Sequence, residues 1–365
     1  MKAYMKIRLD GVLYTGSTIH RFSGNAPCES WRIPVVQFLQ EWFNKEDFIL
    51  TRTSGSTGEP KTIRLSKQNM VNSATRTCQY FNLDERSTAL LCLPANYIAG
   101  KMMLVRALVA GFNLLTLEPS GNPFADLHAA VDFAAVTPFQ IIQSHQVLQR
   151  KTIKKLIVGG GPVNRKLQEI IVTMSSEVYE TYGMTETCSH IAIRKLNGGA
   201  PGDYFTVLPG VEIRQDERRC LVIYALDITD SVIITNDVVK MHDKNQFKWL
   251  GRFDQVINSG GIKLFPETIE KKIEPFLDRR FFIGSLPDDK LTEKVILVIE
   301  GDTMNELQLT RLNNDLKPVL NHYEMPRIVS FFAAFDTSLS GKVLKPEILR
   351  KILNAGSLIG TFPKR

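Results

Sequence analysis

The sequence offers little sulfur chemistry: its five cysteines, Cys28, Cys78, Cys92, Cys188 and Cys220, are odd in number, scattered, and form no C-x-x-C pair. That spacing excludes the common zinc-ligand patterns and gives no disulfide framework, so a reducing cytoplasm is the expected home. A long uninterrupted apolar run is also lacking. The most apolar stretch, roughly 89–117, is broken by Lys101 and Arg106, and it reads as a buried strand–helix–strand passage, not a membrane span. The first residues, Met1-Lys2-Ala3-Tyr4-Met5-Lys6, carry no apolar segment of the kind a signal peptide needs. Nor is there a concentrated basic tract. The net charge is +7, yet the densest cluster is the modest Arg150-Lys151-Thr152-Ile153-Lys154-Lys155. Charge dispersed in this way argues against nucleic acid and favours small anionic partners such as nucleotides and carboxylates.

What is present suits a globular protein. The chain has 365 residues, 44% hydrophobic and 23% charged, enough apolar material for one large domain and a smaller one. Apolar residues recur at helical spacing over 32–43, and Ser66 is placed to cap a helix that runs on to Phe81. Strand and helix then alternate: strands at 48–50, 89–93, 114–117, 133–136, 156–158 and 178–181, helices at 99–109, 138–149 and 165–174. That alternation predicts an α/β fold, a large N-terminal domain of mixed and parallel sheet flanked by helices. From about 205 the strands shorten (212–214, 220–224, 232–235). A second unit, α+β in texture, begins near 251–254, with a strand at 256–258, a helix at 266–276 and strands at 295–299 and 328–332. The expected domains are therefore 1–251 and 252–365.

The most informative segment is Thr53-Ser54-Gly55-Ser56-Thr57-Gly58-Glu59-Pro60-Lys61-Thr62. Two glycines free the backbone to turn its N–H groups towards an anion; the hydroxyls add donors and Lys61 adds charge. This is a polyphosphate loop. It is not a Walker A loop, because Pro60 stands where that motif needs glycine. The string [ST]-S-G-[ST]-T-G-x-P-K resembles the phosphate loop of the adenylate-forming superfamily of acyl- and aryl-CoA synthetases, peptide-synthetase adenylation domains and luciferases. Thr62 departs from the glycine usual after the lysine.

Further strings follow in the family's order. Gly159-Gly160-Gly161 ends a strand where, the resemblance implies, the backbone borders adenine. Tyr182-Gly183-Met184-Thr185-Glu186 matches Y-G-x-T-E. There the resemblance gives Glu186 a Mg²⁺ ion, Thr185 the α-phosphate and Tyr182 the adenine; a carboxylate is the hard oxygen ligand such an ion requires. Thr235-Asn236-Asp237 is similar to T-G-D, whose Asp holds the ribose hydroxyls, with Asn236 in place of glycine. The segment 251–270 resembles the inter-domain stretch, with Arg252 on ribose or phosphate and Asp254 at the hinge. Glu270 within it reads as a helix-surface residue. Ser340-Gly341-Lys342 resembles the catalytic-lysine loop, although Asp336 stands where proline is common; Lys345 beside it reads as a surface lysine.

These parts imply a reaction in two halves: a carboxylate attacks ATP to give an acyl-adenylate, and coenzyme A then takes the acyl group. The string Thr185-Glu186-Thr187-Cys188-Ser189-His190 is most similar to o-succinylbenzoate–CoA ligases of menaquinone biosynthesis. Tyr97, where the family has histidine, and His190 are the candidates for lining the acid pocket. Two other readings stay open at this point: a free-standing adenylation enzyme that loads a carrier protein, and a non-catalytic nucleotide-binding protein. The resemblance covers 51–345, leaves the first fifty residues unmatched and is silent on oligomeric state.

Overall fold

A computed structural model of the chain describes residues 4–24, 30–52, 62–150, 153–199, 202–337, 343–355 and 359–361. Its contacts divide the chain into two compact units: 1–214 with 222–234 and 241–248, and 215–221 with 235–240 and 249–365.

The first unit opens with a hairpin, β1 (Lys6–Leu9) and β2 (Val12–Thr15), turned by Asp10 and Gly11 at φ +49° and +82°. Two successive positive φ values are what a two-residue hairpin loop demands, and Asp-Gly supplies them. Helix α1 (Arg32–Phe43) follows, then the antiparallel pair β3 (Phe48–Arg52) and β4 (Thr62–Ser66), and α2 (Lys67–Phe81). Ser66 caps α2 as its sequence predicts, its hydroxyl accepting from the Gln68 and Asn69 amides. Lys67 is 1% exposed; its ammonium donates to Trp42 O at 2.9 Å and to Asn44 Oδ1 at 2.9 Å. A cation there serves the carboxyl end of α1, where carbonyls lack helical partners.

The alternating section runs β5 (Thr88–Leu91), α3 (Ile98–Ala110), β6 (Asn113–Thr116), β7 (Val131–Val136), α4 (Pro138–Leu148), β8 (Ile153–Val158), α5 (Arg165–Val172) and β9 (Glu177–Gly183). Its sheet has the order β2-β1-β6-β5-β7-β8-β9, parallel from β1 onward. The first fifty residues, unmatched by the motifs, thus supply the edge of this sheet. Neighbouring residues of one strand feed opposite cores. Ala89, Leu91, Phe133, Ala135 and Ile157 pack with α1, α2 and α3, while Leu90, Ala134, Val136, Leu156 and Val158 pack with α4 and α5. Burial on both faces explains why these strands are continuous apolar runs. Strands β10 (His190–Lys195) and β11 (Phe205–Val207) continue the sheet antiparallel, so the sheet is mixed.

Strands β12 (Glu212–Gln215), β13 (Cys220–Tyr224), β14 (Ile233–Met241) and β15 (Gln246–Arg252) come next, and the division between the units runs through all four. In the second unit β16 (Ile257–Ser259), β17 (Ile262–Leu264), α6 (Pro266–Ile273), β18 (Phe281–Asp288), β19 (Thr292–Glu300), α7 (Glu306–Leu316), β20 (Ile328–Phe332), α8 (Lys345–Ala355) and β21 (Ile359–Thr361) build a sheet centred on β19. Here too alternation splits one strand between two cores: Val295, Leu297 and Ile299 face α6 and α7, whereas Ile296 and Val298 face α8. The helix expected at 266–276 ends at Ile273, and Pro275 sits in a following 3-10 turn (Glu274–Phe276). No helix among the described residues is long and apolar enough to cross a membrane. Four cysteines, Cys78, Cys92, Cys188 and Cys220, are buried free thiols.

One polar side chain holds the start of β9. The buried Asn197 donates to Ile171 O, Met174 O and Ser176 O at 3.0, 3.3 and 2.8 Å, and its Oδ1 accepts from Val178 N at 2.9 Å. Asn197→Ala strands several buried backbone groups and is expected to cost about 3 kcal/mol. Urea unfolding should show that loss; a change under about 0.5 kcal/mol would mean that water replaces the amide without penalty.

Candidate active site

Parallel strands put their carboxyl ends on one edge, and in such sheets that edge is where ligands bind. Strand β8 ends there in Gly159-Gly160-Gly161, β9 in Tyr182-Gly183, and the segment after β5 carries Pro94 and Tyr97. Each glycine requirement is local. A Cβ on Gly159 would stand 2.6 Å from Thr181 Oγ1, and Gly160 has φ +82°. A Cβ on Gly183 would meet Ser189 O at 2.4 Å, where β9 and β10 close up at an irregularity in their pairing. Tyr182 is half-buried, its ring 5.1 Å from Phe247 and 5.9 Å from Phe205. Tyr97 precedes α3 and is 54% exposed.

Between β9 and β10 lies a 3-10 turn, Thr185–Thr187. Thr187 is buried and turned inward: its hydroxyl oxygen accepts from Met184 N at 3.0 Å and lies 2.7 Å from Ser189 O. Thr185 is half-buried and Glu186 exposed. The turn therefore anchors itself through its third residue and presents the second, the carboxylate, outward.

Behind this turn sits a group that sequence reading missed. Arg106, on α3, is 2% exposed. One guanidinium nitrogen donates to Ser189 Oγ at 2.7 Å and another lies 3.4 Å from Met103 Sδ. Nε has no hydrogen-bond partner, and no carboxylate pairs with Arg106 among the described residues. Burial pulls its pKa down to about 10, so it remains a cation at neutral pH. His190 is buried alongside, with Nε2 3.4 Å from Thr77 Oγ1 and Nδ1 3.3 Å from Ser189 Oγ. Burial, then the Arg106 charge, holds the imidazole pKa well below its usual value. The signal in the sequence was the charge itself, an arginine inside an apolar stretch. A helix with one face in solvent would turn it outward, but α3 is buried on all sides from Gly100 to Leu108.

The second unit holds its own candidates. Asp237 accepts from Trp249 Nε1 at 3.2 Å through Oδ1, and its amide donates to Thr235 Oγ1 at 3.0 Å. Arg252 grips Asp254 with two hydrogen bonds of 3.1 Å, which hold that carboxyl below its usual range. Gly251 has φ +155°, a conformation that residues with a Cβ rarely adopt, and a Cβ there would crowd the terminal Oε2 of Glu267. Two readings need correction. Glu270 is no free helix-surface residue, since it accepts from Ile283 N and from Lys345 Nζ, both at 2.8 Å, and Lys345 is half-buried in that pair. Thr53, Ser54, Gly55, Ser56, Thr57, Gly58, Lys61 and Lys342 lie outside the described residues.

Residues 21–220 match the family model described as AMP-binding enzyme. Among curated proteins the chain is 25% identical over 359 residues to a 2-succinylbenzoate–CoA ligase of Bacillus cytotoxicus, covering 86% of this chain and 72% of that one. Among solved structures it is similar to an acyl-CoA synthetase (AMP-forming)/AMP-acid ligase II-like protein from Dyadobacter fermentans, with 35% identity, a TM-score of 0.59, and 92% and 98% of the two chains covered. It also shares its fold with the O-succinylbenzoate coenzyme A synthetase of Bacillus subtilis solved with ATP and magnesium ion (20% identity, TM-score 0.70, 86% and 74% covered).

The buried imidazole gives stability a pH dependence. Its folded pKa lies below the unfolded value of 6.5, so on acidification through that value the unfolded chain gains a proton that the folded chain refuses. Stability is then lost as pH falls, with a slope approaching ~1.4 kcal/mol per pH unit. His190→Gln should flatten the curve between about pH 7 and pH 5.5 in urea-unfolding series; an unchanged slope would assign the loss to other groups.

Proposed function

This chain belongs to the AMP-binding enzyme family, and on that premise we propose that it is an ATP-dependent carboxylate–CoA ligase whose acid is o-succinylbenzoate. The supporting observation is the buried guanidinium of Arg106. A cation taken out of water without a counter-charge is costly, and the fold keeps one directly behind the Thr185–Thr187 turn. An acid with two carboxylates meets that need: one reacts while the other lies against Arg106 and Ser189. The aromatic diacid named for the curated relatives has this chemistry.

In the first half of the reaction a carboxylate oxygen attacks the α-phosphorus of ATP, the bond to the bridging oxygen breaks, and pyrophosphate leaves with the electron pair. In the second the thiol of coenzyme A, losing its proton, attacks the acyl carbonyl and AMP leaves. Phosphoryl transfer of this kind depends on positioning and on stabilising charge in the transition state. The loop at 53–58 with Lys61 takes the triphosphate, Thr185 the α-phosphate, Gly159–Gly161 and Tyr182 the adenine, Asp237 the ribose and Arg252 ribose or phosphate. Lys342 supplies charge to the adenylation step, and Asp254 marks the hinge between the domains 1–251 and 252–365. The described residues hold no cluster of three metal-ligating side chains. Glu186, exposed on its turn, would hold Mg²⁺, an ion that keeps much of its water and takes few protein carboxylates. The ion would neutralise phosphate charge there.

Acid-dependent exchange of pyrophosphate into ATP should occur with o-succinylbenzoate, and free CoA should convert the adenylate to a thioester; exchange without thioester formation would point to a carrier-protein acceptor. Arg106→Met should raise KM for the acid about a hundredfold while leaving the free protein as stable as before or more so. A variant that loses stability and keeps its acid KM would remove the argument for a diacid. Lys342→Ala should lose exchange yet still convert preformed acyl-adenylate to thioester, and equal loss of both halves would show that the lysine acts otherwise.

A further inference from the structure

Cys188 is buried and has φ +59° and ψ −43°. Positive φ is uncommon outside glycine, asparagine and aspartate, and this pair of angles is not the left-handed helical well either. It lies near the rare γ-turn of positive φ and negative ψ, a strained three-residue turn closed by a hydrogen bond from residue i+2 to residue i. The closing bond is present: Ser189 N donates to Thr187 O at 2.6 Å. A cysteine thus occupies a backbone conformation it disfavours, at the centre of the string that joins Glu186 to His190. Strain of that kind persists only where the surroundings over-determine it, and such places concentrate at functional sites.

The surroundings are visible. On one side Cys188 N donates to Thr185 O at 3.0 Å, which closes the 3-10 turn bearing Thr185 and Glu186. On the other, Ser189 turns its hydroxyl to Arg106 at 2.7 Å and towards His190 Nδ1 at 3.3 Å. The thiol donates to Ile228 O at 3.5 Å. Ile228 belongs to a segment fastened to α2 by Arg76–Asp227, by Asn69 Nδ2 to Asp230 Oδ1 at 2.9 Å and by Asn72 Nδ2 to Asp227 O at 2.6 Å. One residue therefore reverses the chain between the turn that faces the nucleotide and the hydroxyl that steadies the buried cation.

We infer that Cys188 is a positioning residue for the proposed reaction: the γ-turn it centres fixes Ser189 relative to the Thr185–Glu186 turn and so couples the hold on the acid to the hold on the nucleotide. This rests on the ligase reading above. The device acts through backbone direction, and the thiol only anchors it. A side chain with a Cβ keeps the turn stiff, whereas glycine, which has no penalty at positive φ, releases it.

The test compares Cys188→Gly, Cys188→Ala and Cys188→Ser in acid-dependent ATP–pyrophosphate exchange, with thermal unfolding and with binding of the acid in the presence and absence of a non-hydrolysable ATP analogue. In the Gly variant we expect an acid KM raised roughly tenfold, loss of the gain in acid affinity that the analogue brings, and a Tm unchanged or higher. The Ala and Ser variants should stay within about threefold of the parent, with coupling retained. A Gly variant with the parent's acid KM and coupling overturns the inference, as does a series in which Ala falls as far as Gly in step with Tm, because that is packing alone. If the parent protein shows no exchange with any aromatic acid, the ligase reading fails separately. The positioning role is then decided by the side-chain ¹⁵N signals of Arg106, which should broaden in the Gly variant and not in Ala; identical spectra overturn it.

Discussion

Strands β5, β7 and β8 are buried on both faces, and that double burial is the constraint on which the rest of the large unit depends. A strand with no solvent face can offer function only at its ends, and parallel pairing brings all the carboxyl ends to one edge. The glycine turn after β8, Tyr182 at the end of β9 and the turn bearing Glu186 reach that edge because the sheet allows them nowhere else. Packing also sets the spacing. Asn197 ties the end of α5 to the start of β9, so the position of Tyr182 follows from hydrogen bonds made at the opposite end of its strand.

Four cations among the described residues are drawn into this interior, and they are treated differently: Arg76 pairs with Asp227. Lys67 donates to the end of α1, and Lys101 reaches Leu50 O at 3.1 Å on β3. Both ammonium groups donate to backbone carbonyls. Among the described residues Arg106 meets a serine hydroxyl and a thioether, and its Nε has no partner. Buried polar groups are nearly always satisfied in stable cores, so an incomplete set beside a candidate site differs in kind from the two lysines. The neutral His190 next to it avoids adding a second positive charge.

Much of the architecture could be read in advance. The cap at Ser66, the bounds of α2 and the apolar strands of the alternating section follow from local chemistry that the fold does not contradict. Strands β1 and β2 escaped notice because each is four residues long and mixes polar with apolar side chains. Strand β4 was masked by the phosphate motif directly before it. Helix α7 was missed although Asn305-x-x-Gln308 forms a capping box; its signal lay in the cap, not in apolar periodicity. The site divides in the same way. The family resemblance pointed to Tyr182, Thr185 and Glu186. It could not show that Arg106 stays inside, since that depends on what surrounds α3, nor that Cys188 takes a conformation at odds with its own propensity. Local rules fail most often where a site overrides them.

Gly251 and Glu267 form a matched pair: the carboxylate fills the space that any side chain at 251 would need. Glu267 is half-buried and its Oε2, itself buried, has no partner among the described residues, so burial raises its pKa. The consequence is evolutionary rigidity. The backbone at 251, at φ +155°, is strained for any residue with a Cβ, so a smaller residue at 267 would not by itself open that position to descendants of this chain.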